Sequence, residues 1–311
     1  MRRLSGVPAG MDLPVMGLGC MRMSNSRTPE DRAEALATIQ ASLDAGLSFL
    51  DTGDFYGSGH NELLVGEAIR NVPRDKVFLS VKFGALVGPD RRHYGVDVRP
   101  TPVKNYLAYS LERLGVDFID LYQPCRIDPA IPVEETLGPV SELVAAGWVR
   151  HVGLSQVGPD VLRRAMTVCP VSLLEINYSV FHRQPEAELL PTAQELGVGV
   201  VAFGLLANGR LTTEKISQMA ASHPQFAPSD PIRHLAQLAE LRHIADDAGL
   251  TLPQLLTAWV LAQGDNIMAL PGPRTTTQLA DCLAAVDLEL GPDIVERVNR
   301  TADGPITTPA L

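Results

Sequence analysis

Asp51, Tyr56, Lys82 and Cys125 are the side chains in this sequence with the clearest chemical potential. Asp51 and Tyr56 lie in FLDTGDFYGSGHNELLVGEAIR, a strand-like run followed by a glycine-bearing turn and a helix-like run. Lys82 sits near the end of VFLSVKF, and Cys125 follows FIDLYQP. A lysine at the end of an apolar strand is costly to desolvate unless it is paired, and Asp51 is the expected counter-ion. An ammonium held there favours the phenolate of Tyr56, whose reference pKa of ~10 is expected to fall by ~1–3 units. A phenol tuned toward neutrality is a general acid for a carbonyl oxygen that gains negative charge. A lone Asp or Lys at a strand end is usually a solvated rim residue. The combination on neighbouring strand ends favours the chemical reading. Cys125 contributes a weak donor, and no base in its motif would activate it as a nucleophile.

Short apolar runs separated by amphipathic segments must position these residues. Eight runs read as strands: Pro14–Gly19, Phe49–Gly53, Val77–Phe83, Phe118–Gln123, Val149–Ser155, Leu173–Ser179, Gly199–Gly204 and Ile267–Gly272. They are too apolar for burial on one face only, which predicts parallel strands covered by helices. Helical patterns such as RAEALATIQASLDAG, NELLVGEAIRN and VKNYLAYSLERLG fill the intervals. This alternation predicts a single α/β domain over residues 1–311, a (β/α)₈ TIM barrel with an N-terminal hairpin and extra C-terminal helices. The carboxyl ends of barrel strands share one open face, so all four residues are expected at one mouth. An open dinucleotide-binding sheet would need a third glycine after Gly17 and Gly19, where Cys20 and Met21 stand instead.

The bulk properties narrow the function classes. The net charge of −10 opposes a nucleic-acid or anionic-membrane surface. Cys20, Cys125, Cys169 and Cys282 are widely spaced with no CxxC pair, which predicts neither a disulfide framework nor a metal site. The longest apolar stretch, Val198–Ala207, holds two glycines and is too short to span a bilayer. The N-terminus has no apolar run of signal-peptide type. A soluble cytoplasmic protein is expected, with its oligomeric state left open.

From about Met16 to Asp287 the chain resembles the aldo-keto reductases, through FLDTGDFYG…NELLVGEAIR, VKFG, SLERLGVDFIDLYQ, GWVRHVGLS and IMALPGPR. The resemblance implies NADPH as hydride donor to a small-molecule carbonyl substrate, Tyr56 as proton donor, and Lys82 and Asp51 as the residues that tune it. It implies that Ser155, Gln156 and Glu175 meet the nicotinamide carboxamide and that Phe203 stacks on the ring. Gly204 and the stretch Leu205–Arg210, with Arg210 at its end, would wrap the pyrophosphate. Gly272, Arg274 and Gln278 would read the adenosine end, with Arg274 facing a 2′-phosphate. Cys125 stands where the family has a substrate-binding histidine, Gln156 where asparagine is usual, and Glu175 where glutamine is usual. Pro273 and Cys282 also depart from the pattern.

The expected function is NADPH-dependent reduction of an aldehyde or ketone. The alternatives are reduction of a C=C or C=N bond on the same scaffold, which the change at Cys125 suggests, or a nicotinamide-binding regulatory protein with little turnover. Arg91, Arg92, His93 and Tyr94 read as a loop beyond the third strand, either solvated or facing an anionic or aromatic substrate. His151, Trp148 and Trp259 read as packing residues. Leu206–Pro231 reads as a lid.

Overall fold

A computed structural model of the chain describes residues 2–8, 10–207, 211 and 231–302. Eight parallel strands form the central sheet: β1 (Leu18–Gly19), β2 (Phe49–Gly53), β3 (Phe78–Phe83), β6 (Ile119–Pro124), β7 (Val149–Ser155), β8 (Val171–Asn177), β9 (Gly199–Phe203) and β10 (Ile267–Ala269). They neighbour one another in that order. Gly17 N donates to Ala269 O at 2.9 Å and Ala269 N to Val15 O at 2.8 Å, so the first and last strands meet and the sheet closes. The expected (β/α)₈ barrel is the fold found. The first strand is shorter than its apolar run at the amino end, where Pro14 and Met16 make only isolated bridges, to Arg3 and Ala269.

Helices α1 (Pro29–Asp44), α2 (His60–Ile69), α3 (Pro100–Leu114), α4 (Val133–Ala145), α5 (Pro159–Met166) and α6 (Leu189–Glu195) follow successive strands. Among the described residues, the interval between β9 and β10 holds α7 (Pro231–Asp247) and α8 (Leu252–Leu261). Helix α9 (Thr276–Leu283) follows β10. Beyond it, α10 (Pro292–Ala302) returns to α7, where Arg297 pairs with Asp247 at 2.8 Å. Local signals explain the boundaries. Thr28 caps α1 by accepting from Asp31 N at 3.2 Å, ahead of a proline at the first helical position. Thr251 and Gln254 make a reciprocal capping box at α8. Gly115, at φ 67°, ends α3 in the left-handed conformation that a side chain disfavours.

The N-terminal segment pairs antiparallel with itself, Leu4 N to Leu13 O at 2.9 Å, as the expected hairpin requires. Leu4, Met11 and Leu13 pack with Phe49, Leu121, Leu173, Val201 and Met268 in an apolar cluster inside the barrel. One predicted loop is instead a hairpin: β4 (Ala85–Val87) and β5 (His93–Val96) pair antiparallel beyond β3. Trp148, expected to pack, is 49 % exposed in the turn after α4. Trp259 is fully buried and donates from Nε1 to Asn299 Oδ1 at 3.0 Å. Among the described residues, no helix is long and apolar enough to cross a membrane.

Candidate active site

Side chains on a strand alternate faces with a period of two. Phe49, Phe78, Leu121, Leu173 and Val201 belong to the apolar cluster inside the barrel. Two residues onward from each of these lie Asp51, Ser80, Gln123, Glu175 and Phe203, and two onward from Ser80 lies Lys82. The inward face is therefore apolar at the amino end and polar toward the carboxyl end. Gly153 makes room for this layer: a Cβ there would lie 3.1 Å from Gln123 Oε1.

Lys82 is the centre of the layer. Its Nζ donates to both oxygens of Asp51, at 2.6 and 2.5 Å, and to both oxygens of Glu175, at 2.9 and 3.0 Å. Gln123 Nε2 donates to Glu175 at 2.8 Å and to Ser80 Oγ at 3.1 Å, and Ser80 Oγ donates to Asp51 at 3.0 Å. The five side chains form a closed ring of hydrogen bonds, all buried. Two carboxylates surround one ammonium, so the ionised cluster carries one net negative charge. Burial, and then Glu175, push the Asp51 carboxyl up to about 7, against the pull of Lys82. Burial opposes the charge on Lys82, but Asp51 and Glu175 outweigh it and hold the amine well above its ordinary range. Lys82 is thus firmly cationic.

Tyr56 lies in the turn between β2 and α2. Its N–H donates to Gly53 O at 3.0 Å, and Gly57, Ser58 and Gly59 follow at φ 58°, 54° and 87°. Three consecutive left-handed residues fold the turn tightly, and glycines at two of them avoid the steric cost. Buried Asn61 anchors the turn: it accepts from Thr52 Oγ1 at 2.7 Å and donates to Cys20 O at 2.8 Å and Ser24 Oγ at 2.9 Å. The Tyr56 ring packs edge-on against Phe55, 4.7 Å between centroids, and the Lys82 ammonium lies 5.3 Å from its centroid. The expected lowering of the phenol pKa is not found. Burial raises it above the ordinary value, Asp51 and Glu175 add to the rise, and the downward pull of Lys82 is outweighed. The phenol stays protonated while remaining partly open at the mouth.

Cys125 is 3 % exposed just beyond β6, and burial pushes its thiol up to about 12. A thiol so placed stays neutral. Arg126 follows it and donates from Nη1 to Cys125 O at 2.6 Å and to Ser155 Oγ at 3.3 Å. The β4–β5 hairpin sends His93 against Phe55, 5.6 Å between centroids, and His93, Arg91, Arg92 and Tyr94 are all exposed, Tyr94 at 70 %. His151 stacks on Phe78 at 6.1 Å, toward the amino end of the barrel and away from the mouth.

The residues assigned to a cofactor by resemblance fall at the carboxyl ends of β7 to β10. Ser155 and Glu175 pair in register, and both are buried. Gln156, at φ 54°, accepts from Asn177 N at 2.6 Å, and Glu175 is bound to Lys82 and Gln123. The residues that the resemblance assigns to the nicotinamide are therefore already engaged by protein groups. Phe203 ends β9 partly exposed, Gly204 follows at φ 77°, and Leu205 is buried. Arg210 and most of the expected lid lie outside the described residues. Gly272 passes close to Gly19, where a Cβ would sit 3.4 Å from Gly19 O. Arg274 is exposed, its N–H bound by Gln278 Oε1 at 2.9 Å, and its charge lowers the pKa of Arg22 after burial does. Two neighbouring guanidiniums beside the close approach of Gly19 and Gly272 fit a phosphate group.

Four of these contributors carry no motif of their own. Gln123 was legible only as a large polar residue on the inward parity of an apolar strand. Ser80 shares that parity in the next strand. Asn61 reads as part of a helix start, and Arg126 as a loop residue.

Comparison with known proteins gives a consistent result. The profile described as "Aldo/keto reductase family" matches residues 15–303. A probable aldo-keto reductase 1 from Glycine max is 32 % identical over 290 residues, covering 90 % of this chain and 83 % of that protein. The structure of a glycerol dehydrogenase from Gluconobacter oxydans superposes with a TM-score of 0.86 at 27 % identity, covering 99 % of each chain. An aldo/keto reductase from Klebsiella pneumoniae, solved with NADP and acetate, has a TM-score of 0.79 at 24 % identity, covering 98 % of this chain and 97 % of that one.

Proposed function

Because the chain belongs to the aldo/keto reductase family, an oxidoreductase family, we propose that it reduces the carbonyl group of small organic aldehydes or ketones with NADPH, Tyr56 donating the proton. One observation carries the reading. The Tyr56 phenol is held protonated at the barrel mouth, beside an ammonium that both Asp51 and Glu175 clamp. When bound, NADPH supplies the hydride. The cofactor reading draws support from the Arg22–Arg274 pair and from the NADP bound by the Klebsiella protein.

The chain's own residues would then act as follows. Tyr56 Oη hydrogen-bonds the substrate oxygen and passes its proton as negative charge develops there. Lys82 stabilises the phenolate left behind, and Asp51 and Glu175 keep Lys82 charged and fixed. Ser80 and Gln123 orient the two carboxylates. Cys125 shapes the pocket and gives at most a weak donor. Its raised pKa opposes a thiolate role.

The neutral thiol also favours a second reading, in which an alkene or imine carbon takes the hydride. Both are tested by following NADPH absorbance against aldehydes, ketones, enones and imines, with Cys125→His in parallel. Turnover of simple aldehydes, kept or improved by Cys125→His, supports carbonyl reduction. Turnover of enones or imines alone, lost in Cys125→His, favours the second reading. NADPH binding with no turnover of any class points to a regulatory protein.

A further inference from the structure

Arg126 follows Cys125 at the carboxyl end of β6 and is only partly exposed. Its hydrogen bonds leave from Nη1 alone, to Cys125 O at 2.6 Å and Ser155 Oγ at 3.3 Å. Its Nε is buried and meets no acceptor among the described residues. No carboxylate among them lies within ion-pairing distance. Three other partly buried arginines are paired: Arg74 with Asp120 at 2.5 Å, Arg113 with Glu62 at 2.5 Å and Arg183 with Glu186 at 2.8 Å. One edge of the Arg126 guanidinium is thus spent on the protein. Nη2 makes no hydrogen bond among the described residues and is the donor left for a carboxylate, while Nε lies buried.

The position places this unpaired Nη2 at the carboxyl end of the barrel. Ser155 ends β7, and Cys125 directly follows the strand that carries Gln123. Arg126 also acts electrostatically on His93, whose ring packs on Phe55 and through it on Tyr56. A partly desolvated, unpaired cation is costly in the free protein, and an anionic ligand recovers that cost. The surroundings need such a cation if the substrate is acidic. The chain carries a net charge of −10 and the Lys82 cluster one negative charge, so an anion would otherwise be repelled. Arg91 and Arg92, which the sequence offered for this role, are exposed on the hairpin.

We propose that Arg126 anchors a carboxylate on the substrate, making oxo acids, in which a carboxylate accompanies the reacting carbonyl, the preferred substrate class. This rests on the reading of the site as a carbonyl reductase. The test compares 3- and 4-carboxybenzaldehyde with their carboxamides, which match them in shape but lack the charge. In the wild-type protein kcat/KM for at least one acid exceeds that of its amide by roughly 10- to 100-fold, the worth of a charge-assisted pair. Arg126→Met brings the ratio to about one, mainly through KM, because the anchor binds ground and transition states alike. Arg126→Lys keeps part of the preference. No acid preference in the wild type, or an equal loss on acid and amide in Arg126→Met, overturns the proposal. So does a loss of NADPH affinity, read by fluorescence titration, as large as the loss on the acid, which would make Arg126 a cofactor residue. If no aldehyde is turned over, the reductase reading fails, and titration of the NADPH complex with 4-carboxybenzyl alcohol decides alone. Binding at least ten-fold weaker in Arg126→Met supports the anchor, and equal binding overturns it.

Discussion

Glu175 grips Lys82 with both carboxylate oxygens, at 2.9 and 3.0 Å, from the side opposite Asp51. A glutamine at this position would leave Asp51 as the one carboxylate on Lys82. The second carboxylate secures the positive charge on Lys82 but dilutes its pull on the Tyr56 phenol.

Glu175→Gln should therefore lower the Tyr56 pKa. Burial and Asp51 remain, but one of the groups holding the phenol up is gone. In the alcohol-oxidation direction the phenolate accepts the proton, so the rising limb of the kcat–pH profile moves to lower pH. In the reduction direction the high-pH fall moves the same way. Profiles in both directions, measured with NADP⁺ and NADPH, check this, and superimposable limbs would refute it.

Tyr56→Phe removes the proposed acid and keeps the ring packed on Phe55. Turnover should fall by about 10²–10⁴-fold. Steady-state kinetics with a good aldehyde decide it, and a rate close to wild type sinks the mechanism.

Lys82→Met strands two buried carboxylates without their shared cation. Breaking such a cluster costs about 3–5 kcal/mol. The Asp51 carboxyl already stands raised to about 7, and losing Lys82 raises it further. A raised folded-state pKa contributes stability that is present at low pH and lost as pH rises through it. The Tm deficit of the variant should therefore be larger at pH 8 than at pH 5. Thermal denaturation at the two pH values tests this.

Asp54 presents a related case outside the Lys82 ring. Burial, then Glu62, raise its carboxyl to about 7, and its Oδ1 is buried without a partner. By the same sign, this group costs the wild-type protein stability as pH rises from about 4 to about 7, from the unfolded to the folded pKa. Asp54→Asn should reduce that loss by about 1–2 kcal/mol, allowing for partial exposure. Urea unfolding across the pH range would reveal an unaltered slope if the idea is wrong.

The four cysteines are buried, and burial holds Cys125 and Cys282 at about 12 and Cys169 at about 11, with Cys20 raised further. Iodoacetamide at pH 8 should leave the native protein unmodified over an hour and label all four sites once it is unfolded. Rapid labelling of Cys125 in the native protein, read by peptide mass, would revive a reactive-thiol role.

Much of the fold was readable because burial on both faces leaves a plain mark. FLDTG and VRHVGLS coincide with β2 and β7 residue for residue. The β4–β5 hairpin was not readable, because its strands are only three and four residues long and half-exposed, with no apolar face to mark them. Tyr56, Lys82 and Asp51 were legible as a group by residue type at strand ends. The direction of the Tyr56 shift was not, because it depends on how much protein surrounds the ring and on a charge arriving from β8.

The sequence by itself determined the face. With a side-chain period of two, Asp51, Lys82, Gln123 and Glu175 must point inward once Phe49, Phe78, Leu121 and Leu173 do. It also determined the end of the barrel at which they lie. Only the closed sheet decided which of them touch. Lys82 and Glu175 are 93 residues apart, on strands that are not neighbours, and meet across the barrel interior. The unpaired donors of Arg126 were likewise decided by the fold. Whether a guanidinium finds an acceptor depends on every surface around it, which no local pattern of residues encodes.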